Sequence, residues 1–139
     1  IFFGGTFSGN SLSMFVSNEF LKFVIKSKKQ IFEKLETNSK NFCDEITDYI
    51  NRNNINAIII RFGSVIRLIF SNRYPKNRLQ RDFFEKKNSS KRLKFINFLK
   101  KNKIIFPSNG IIFFNTSLKS KQINILIKII TKGLNIYFK

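Results

Sequence analysis

Along the chain the apolar positions change period several times, and each change marks an expected element. Over residues 12–26, Leu12, Phe15, Val16, Phe20, Phe23 and Val24 recur every three or four positions, the period of a helix. Over residues 28–53 the same period carries Ile31, Leu35, Phe42, Ile46, Tyr49 and Ile50, and Asn53-Asn54 closes this second helical segment. Residues 55–62 read as a strand, because Ala57-Ile58-Ile59-Ile60 is too continuous for an exposed edge. Gly63-Ser64 then predicts a tight turn or bulge before a second strand over 65–71.

Residues 72–90 are polar and basic, contain Pro75 and keep no period, which predicts a loop with at most a short helix near 79–84. Ser90 is expected to cap a helix over 91–101, whose Leu93, Phe95, Ile96, Phe98 and Leu99 form a broad apolar face. Asn102-Lys103 ends it, and Pro107-Ser108-Asn109-Gly110 is a turn cluster. A strand over 111–116 and a last helix over 121–137, with Ile123, Leu126, Ile127, Ile130 and Leu134 on one side, complete the chain. The order predicts an α+β fold with a small antiparallel sheet covered by helices on one face.

Composition changes this picture at a few points. The 139 residues, 42% hydrophobic, suffice for one core, and there are eighteen phenylalanines and no tryptophan. A formal net charge of +18, from 26 Lys and Arg against eight Asp and Glu, points toward nucleic acid or an anionic surface. Phe, Ile, Asn and Lys dominate together, however, as in AT-biased coding sequence. The cations are also spread along the chain rather than gathered in one arm, and no nucleic-acid-binding module matches.

Cys43 is the single cysteine and there is no histidine, so a disulfide framework and a zinc site are excluded and the usual general base is missing. Cys43 reads as a buried structural thiol beside Phe42 and Ile46, in a chain of a reducing, cytoplasmic compartment. Asp44 and Glu45 are adjacent and so point to different helix faces, which makes them a solvated pair rather than a catalytic one. The apolar runs are too short to span a membrane. The start, Ile1-Phe2-Phe3, has no basic flank of a signal peptide.

The candidate chemistry lies in Gly4-Gly5-Thr6-Phe7-Ser8-Gly9-Asn10-Ser11, a small-residue loop ahead of the first helix. Glycines let a backbone approach closely, and amides, hydroxyls and the positive end of a helix suit a phosphate. The plainer reading is a turn into the helix with Asn10 or Ser11 as N-cap. Gly4 and Gly9 keep P-loop spacing and Ser11 fills its last place, but Asn10 stands where the lysine belongs, so a nucleotide triphosphatase is rejected.

Extended to Leu12-Ser13-Met14, the same segment resembles the phosphate-binding motif of class III pyridoxal-phosphate aminotransferases, in particular the glutamate-1-semialdehyde aminomutase branch. Arg61-Phe62-Gly63-Ser64-Val65-Ile66-Arg67-Leu68-Ile69-Phe70 resembles that branch's hairpin, and Phe106-Pro107-Ser108 its entry to the active site. The chain departs after Ser108: Asn109-Gly110 replaces an aromatic and a glutamate, and no arginine follows on the next strand. Residues 117–123 resemble a helix entry in which two acids have become Lys121 and Gln122 and the histidine place is Leu118.

The resemblance implies the C-terminal part of a fold-type-I enzyme. Residues 1–26 would be the cofactor-phosphate loop and the start of an interdomain helix at the end of the large domain, and residues 27–139 the small C-terminal domain. It implies pyridoxal 5′-phosphate as cofactor, with Thr6 as phosphate ligand and Gly5 and Ser8 shaping the loop. It also implies a homodimer in which the Thr6 loop reaches the cofactor phosphate of the other subunit. The reaction would transfer an amino group between small molecules through a Schiff base, and its lysine would precede residue 1, so none of the lysines here is cast in that role. Two alternatives stand beside it: a basic nucleic-acid-binding protein, and a decayed remnant of an aminotransferase that no longer catalyses.

Overall fold

The computed structural model describes Gly5 and residues 9–139; Ile1–Gly4 and Thr6–Ser8 lie outside the described residues. Its order is α1 (Ser11–Arg52), β1 (Ile58–Phe62), β2 (Val65–Ile69), α2 (Arg78–Lys87), α3 (Ser89–Lys101), β3 (Ile111–Phe113) and α4 (Ser120–Phe138). Two compact units result, residues 1–34 and residues 35–139. The two expected helical segments are one 42-residue helix, since neither Gly nor Pro interrupts residues 11–52.

In the second unit the sheet order is β1-β2-β3, antiparallel throughout. Phe62 faces Val65 across the two-residue Gly63-Ser64 turn, and Ile58 pairs with Ile69 at the far end. Gly63 adopts φ +55°, a left-handed conformation that glycine enters without a Cβ penalty. On the other side of β2, Val65 faces Phe113 and Arg67 faces Ile111. β1 begins at Ile58 rather than at 55 because the preceding residues bond elsewhere: the Ile55 amide donates to the Ile50 carbonyl and that of Asn56 to Phe138.

Alternation along β2 sends Ile66 and Leu68, both fully buried, into the core. There they join Phe42, Cys43, Ile46 and Ile50 of α1, Phe95 and Leu99 of α3, and Ile123, Ile130, Leu134 and Phe138 of α4. Aromatic rings fill the centre: Phe70 stacks on Phe138 at 4.3 Å, and Phe95 meets Phe70, Phe106 and Phe138 edge-on. Such pairs add roughly 0.5–1.5 kcal/mol each beyond the area they bury. The last helix is therefore a core wall. The opposite side of β2 is partly covered too, because Ile69 is buried and Arg67 reaches Glu85 of α2.

Ser90 does not cap the third helix. Asn88 does double duty as the last residue of α2's cap and the N-cap of α3, and its side-chain amide donates to the Phe70 carbonyl at 2.8 Å. α2 is also longer than the short helix expected; Asn77 caps it by accepting from the Gln80 amide at 2.9 Å.

Candidate phosphate loop and its surroundings

α1 begins where the chain leaves the small-residue loop. Gly9 takes φ +81°, and the Asn10 side chain then accepts from the Ser13 amide at 3.0 Å and from its hydroxyl at 3.3 Å. Asn10 is thus the N-cap, so the residue in place of a P-loop lysine has a structural task. The first turn of α1 holds no carboxylate, leaving the positive end of the helix unneutralised. Gly5, Gly9 and Asn10 are exposed. The described part of the loop is therefore compatible with a phosphate. Of the three expected ligand-loop residues only Gly5 is described; Thr6 and Ser8 lie outside the described residues.

Beyond the loop, α1 within residues 11–34 presents apolar side chains on every side. Leu12, Met14, Phe15, Val16, Phe20, Leu21, Phe23, Ile25 and Phe32 are each more than half exposed. At 100° per residue these positions surround the helix axis, so no single face of this stretch is the apolar one.

The other candidates resolve into structure. Cys43 is buried, and burial pushes its thiol up to about 11, so it stays a protonated thiol at neutral pH. Asp44 and Glu45 are both exposed, and Asp44 pairs with Lys40. Among the described residues no group of His, Cys, Asp or Glu could hold a metal ion. No helix among them is long and apolar enough to cross a membrane.

Pro107-Ser108-Asn109-Gly110 closes as a turn, with the Gly110 amide donating to the Pro107 carbonyl at 2.9 Å. Asn109 accepts from the Ile111 amide at 3.0 Å, so the residue after Ser108 shapes the turn. At the start of α4, Gln122 accepts from the Lys119 amide at 2.9 Å. The glutamine standing where the resembled family has an acid thus still closes the first turn. That role was detectable as a Gln three residues into a helix. Harder to find was a cleft made by Arg73, Lys87 and Lys91, which come from a loop and the ends of two helices.

No protein-family model and no curated protein sequence matches this chain. Among solved structures, the fold is similar to the crystal structure of an omega-transaminase from Sphaerobacter thermophilus, with a TM-score of 0.74 at 14% identity. The match covers 96% of this chain and 30% of that enzyme, so the chain spans under a third of its length. The likeness is one of fold: a helix leading into a small α+β unit, as in part of a transaminase.

Proposed function

We propose that this chain is the C-terminal part of a class III, pyridoxal-phosphate-dependent aminotransferase similar to glutamate-1-semialdehyde aminomutase. The observation that carries the reading is the conjunction of two independent facts. The segment Gly4 to Met14, which resembles the family's phosphate motif, runs in sequence directly into α1, and the fold that follows is similar to part of a transaminase.

In this reading residues 1–26 end the large domain and residues 27–139 form the small one. Thr6 donates its hydroxyl to the cofactor phosphate of the other subunit of a cytoplasmic homodimer, Gly5 and Ser8 shape the loop around it, and the start of α1 adds a favourable field. Asn10 and Gly9 hold the loop at the helix end through the cap and the left-handed turn. Pyridoxal phosphate, when bound, supplies the electron sink for amino-group transfer, and a lysine upstream of residue 1 tethers it. The exposed apolar positions of α1 within residues 11–34 are then covered by the preceding domain.

The test is a visible absorption spectrum of the longest natural polypeptide that contains this sequence, titrated with pyridoxal phosphate. A band of lysine-bound cofactor that bleaches on adding an amino donor is the expected result. A folded, complete polypeptide that gives no band overturns the reading.

A further inference from the structure

The cleft between the loop after β2, the end of α2 and the start of α3 has the make-up of a second binding site. It encloses about 420 Å³, within the usual range for small ligands. Three cations, Arg73, Lys87 and Lys91, line it, and no carboxylate does. The acids of α2 are engaged elsewhere: Asp82 pairs with Arg78 and Arg81, and Glu85 with Arg67 and Arg92. None of the three lining cations has a carboxylate partner among the described residues.

Like charges lining one concave surface repel one another and raise the local potential, and a bound anion relieves both. A guanidinium with two ammonium groups matches the several oxygens of a phosphate better than the two of a carboxylate. The start of α3 adds the positive end of a helix, since the Asn88 side chain is turned to the Phe70 and Phe84 carbonyls rather than to its own first turn. Asn56, Ser71, Asn72 and Asn88 add uncharged polar groups to the lining, and Phe84 and buried Phe138 with the exposed Phe83 ring give it an aromatic part for a flat apolar group.

We propose that this cleft binds a small phosphorylated organic molecule, its phosphate held by Arg73, Lys87 and Lys91 and its flat portion set against Phe83 and Phe84. The site lies wholly within residues 35–139 and does not depend on the role of Thr6.

The probe is adenosine monophosphate, a phosphate joined to a flat ring system, titrated calorimetrically into the full chain at about 0.15 M salt. Adenosine and inorganic phosphate serve as its two halves. Saturable binding of the monophosphate, tighter than either half, is expected. The triple variant Arg73→Gln, Lys87→Gln, Lys91→Gln should weaken it by at least about ten-fold, and Lys87→Gln alone by a smaller factor. A matched variant, Lys100→Gln, Lys121→Gln, Lys132→Gln, removes the same charge elsewhere and should change affinity by less than about three-fold. Thr6→Ala should leave it unchanged. Absence of saturable binding, or an equal loss in the matched variant, overturns the site; adenosine binding as tightly as its phosphate overturns the role of the cations.

Discussion

Arg61 on β1 reaches the Glu36 carboxylate on α1 at 2.7 Å, while its other terminal nitrogen donates to the Gly63 carbonyl at 3.1 Å. The hydroxyl of fully buried Ser39 donates to the same carbonyl at 2.9 Å. One helix turn of α1 thus fastens both the strand and the tip of the hairpin, and the Gly63 carbonyl, which the turn leaves outside the ladder, has two donors.

The Arg61 contact gives Glu36 a pH signature. Its hydrogen bond from Arg61 holds the carboxyl below its usual range against the opposing effect of desolvation, and the charges of Arg61 and Lys40 add to the lowering. A carboxyl depressed on folding stabilises the fold above its unfolded pKa and loses that contribution as pH falls through the lowered folded value. Glu36→Gln should therefore unfold at a lower temperature than the parent at pH 7, and the two midpoints should converge as the pH falls through the lowered folded value. Thermal unfolding followed by circular dichroism from pH 7 to 3 measures this; a gap that widens toward acid would sink the assignment.

Two glycines with left-handed backbones separate conformational strain from collision. Gly63 at φ +55° has open space where a Cβ would stand, whereas at Gly110, φ +74°, a Cβ would lie 2.6 Å from the Leu68 carbonyl oxygen. That carbonyl belongs to β2, whose Leu68 amide donates to Gly110 at 3.0 Å, so the neighbour cannot retreat without breaking the sheet. Gly63→Ala should cost about 1–2 kcal/mol, the left-handed penalty alone, and Gly110→Ala clearly more. Urea unfolding of the two variants gives the comparison.

The elements that bury an apolar stripe were legible in the sequence, and α2, held by polar groups, was legible only as a short helix near 79–84. α4 and the hairpin followed from Ile123, Ile130 and Leu134, and from Gly63-Ser64 between two β-branched runs. α2 buries only Glu85, so its ten residues show no apolar period; an asparagine cap and ion pairs hold it instead. Asn88 was hidden for a related reason, because its partner, the Phe70 carbonyl, is remote in sequence. At the candidate loop, the cap by Asn10 was among the readings, and the basic cleft escaped because each of Arg73, Lys87 and Lys91 looked like general basicity.

Gly133 sits where α4 meets α3. A Cβ there would fall 2.9 Å from ring atoms of both Phe95 and Phe98. Alanine improves helix propensity by about 1 kcal/mol, while overpacking a closed core costs roughly 1–3 kcal/mol. Phe95 is fully buried among Phe70, Phe106 and Phe138 and has nowhere to go, so the collision should prevail in Gly133→Ala. Combining it with Phe98→Leu should recover part of the loss, which a double-mutant cycle of unfolding free energies would read as a favourable coupling.

Glu85 is buried between two arginines, bonded to Arg67 at 3.2 Å and to Arg92 at 3.3 Å. The Arg67 Nε already lacks a partner in this buried place, so the carboxylate is what compensates both guanidinium groups. Glu85→Gln keeps the shape and removes the charge, and should destabilise the fold by about 2–4 kcal/mol. An equilibrium denaturation showing a change below about 0.5 kcal/mol, the range of ordinary surface substitutions, would mean that water compensates the arginines instead.

The loop before α1 carries the functional prediction. Asn10 is engaged in capping through Ser13 by its side-chain oxygen, and Gly9, which has no side chain, supplies the left-handed turn. In the proposed reading the side-chain donor to the cofactor phosphate is the Thr6 hydroxyl. A hydrogen bond to a charged group contributes roughly 1.5–3 kcal/mol, so Thr6→Ala in the complete polypeptide should weaken pyridoxal phosphate by about ten-fold or more. Thr6→Ser keeps the hydroxyl and should bind nearly as the parent does, whereas a merely steric role for Thr6 would make serine and alanine alike. Cofactor affinity measured by equilibrium dialysis on all three proteins separates the two cases without any assay of turnover, and equal affinities in all three would remove Thr6 from the site.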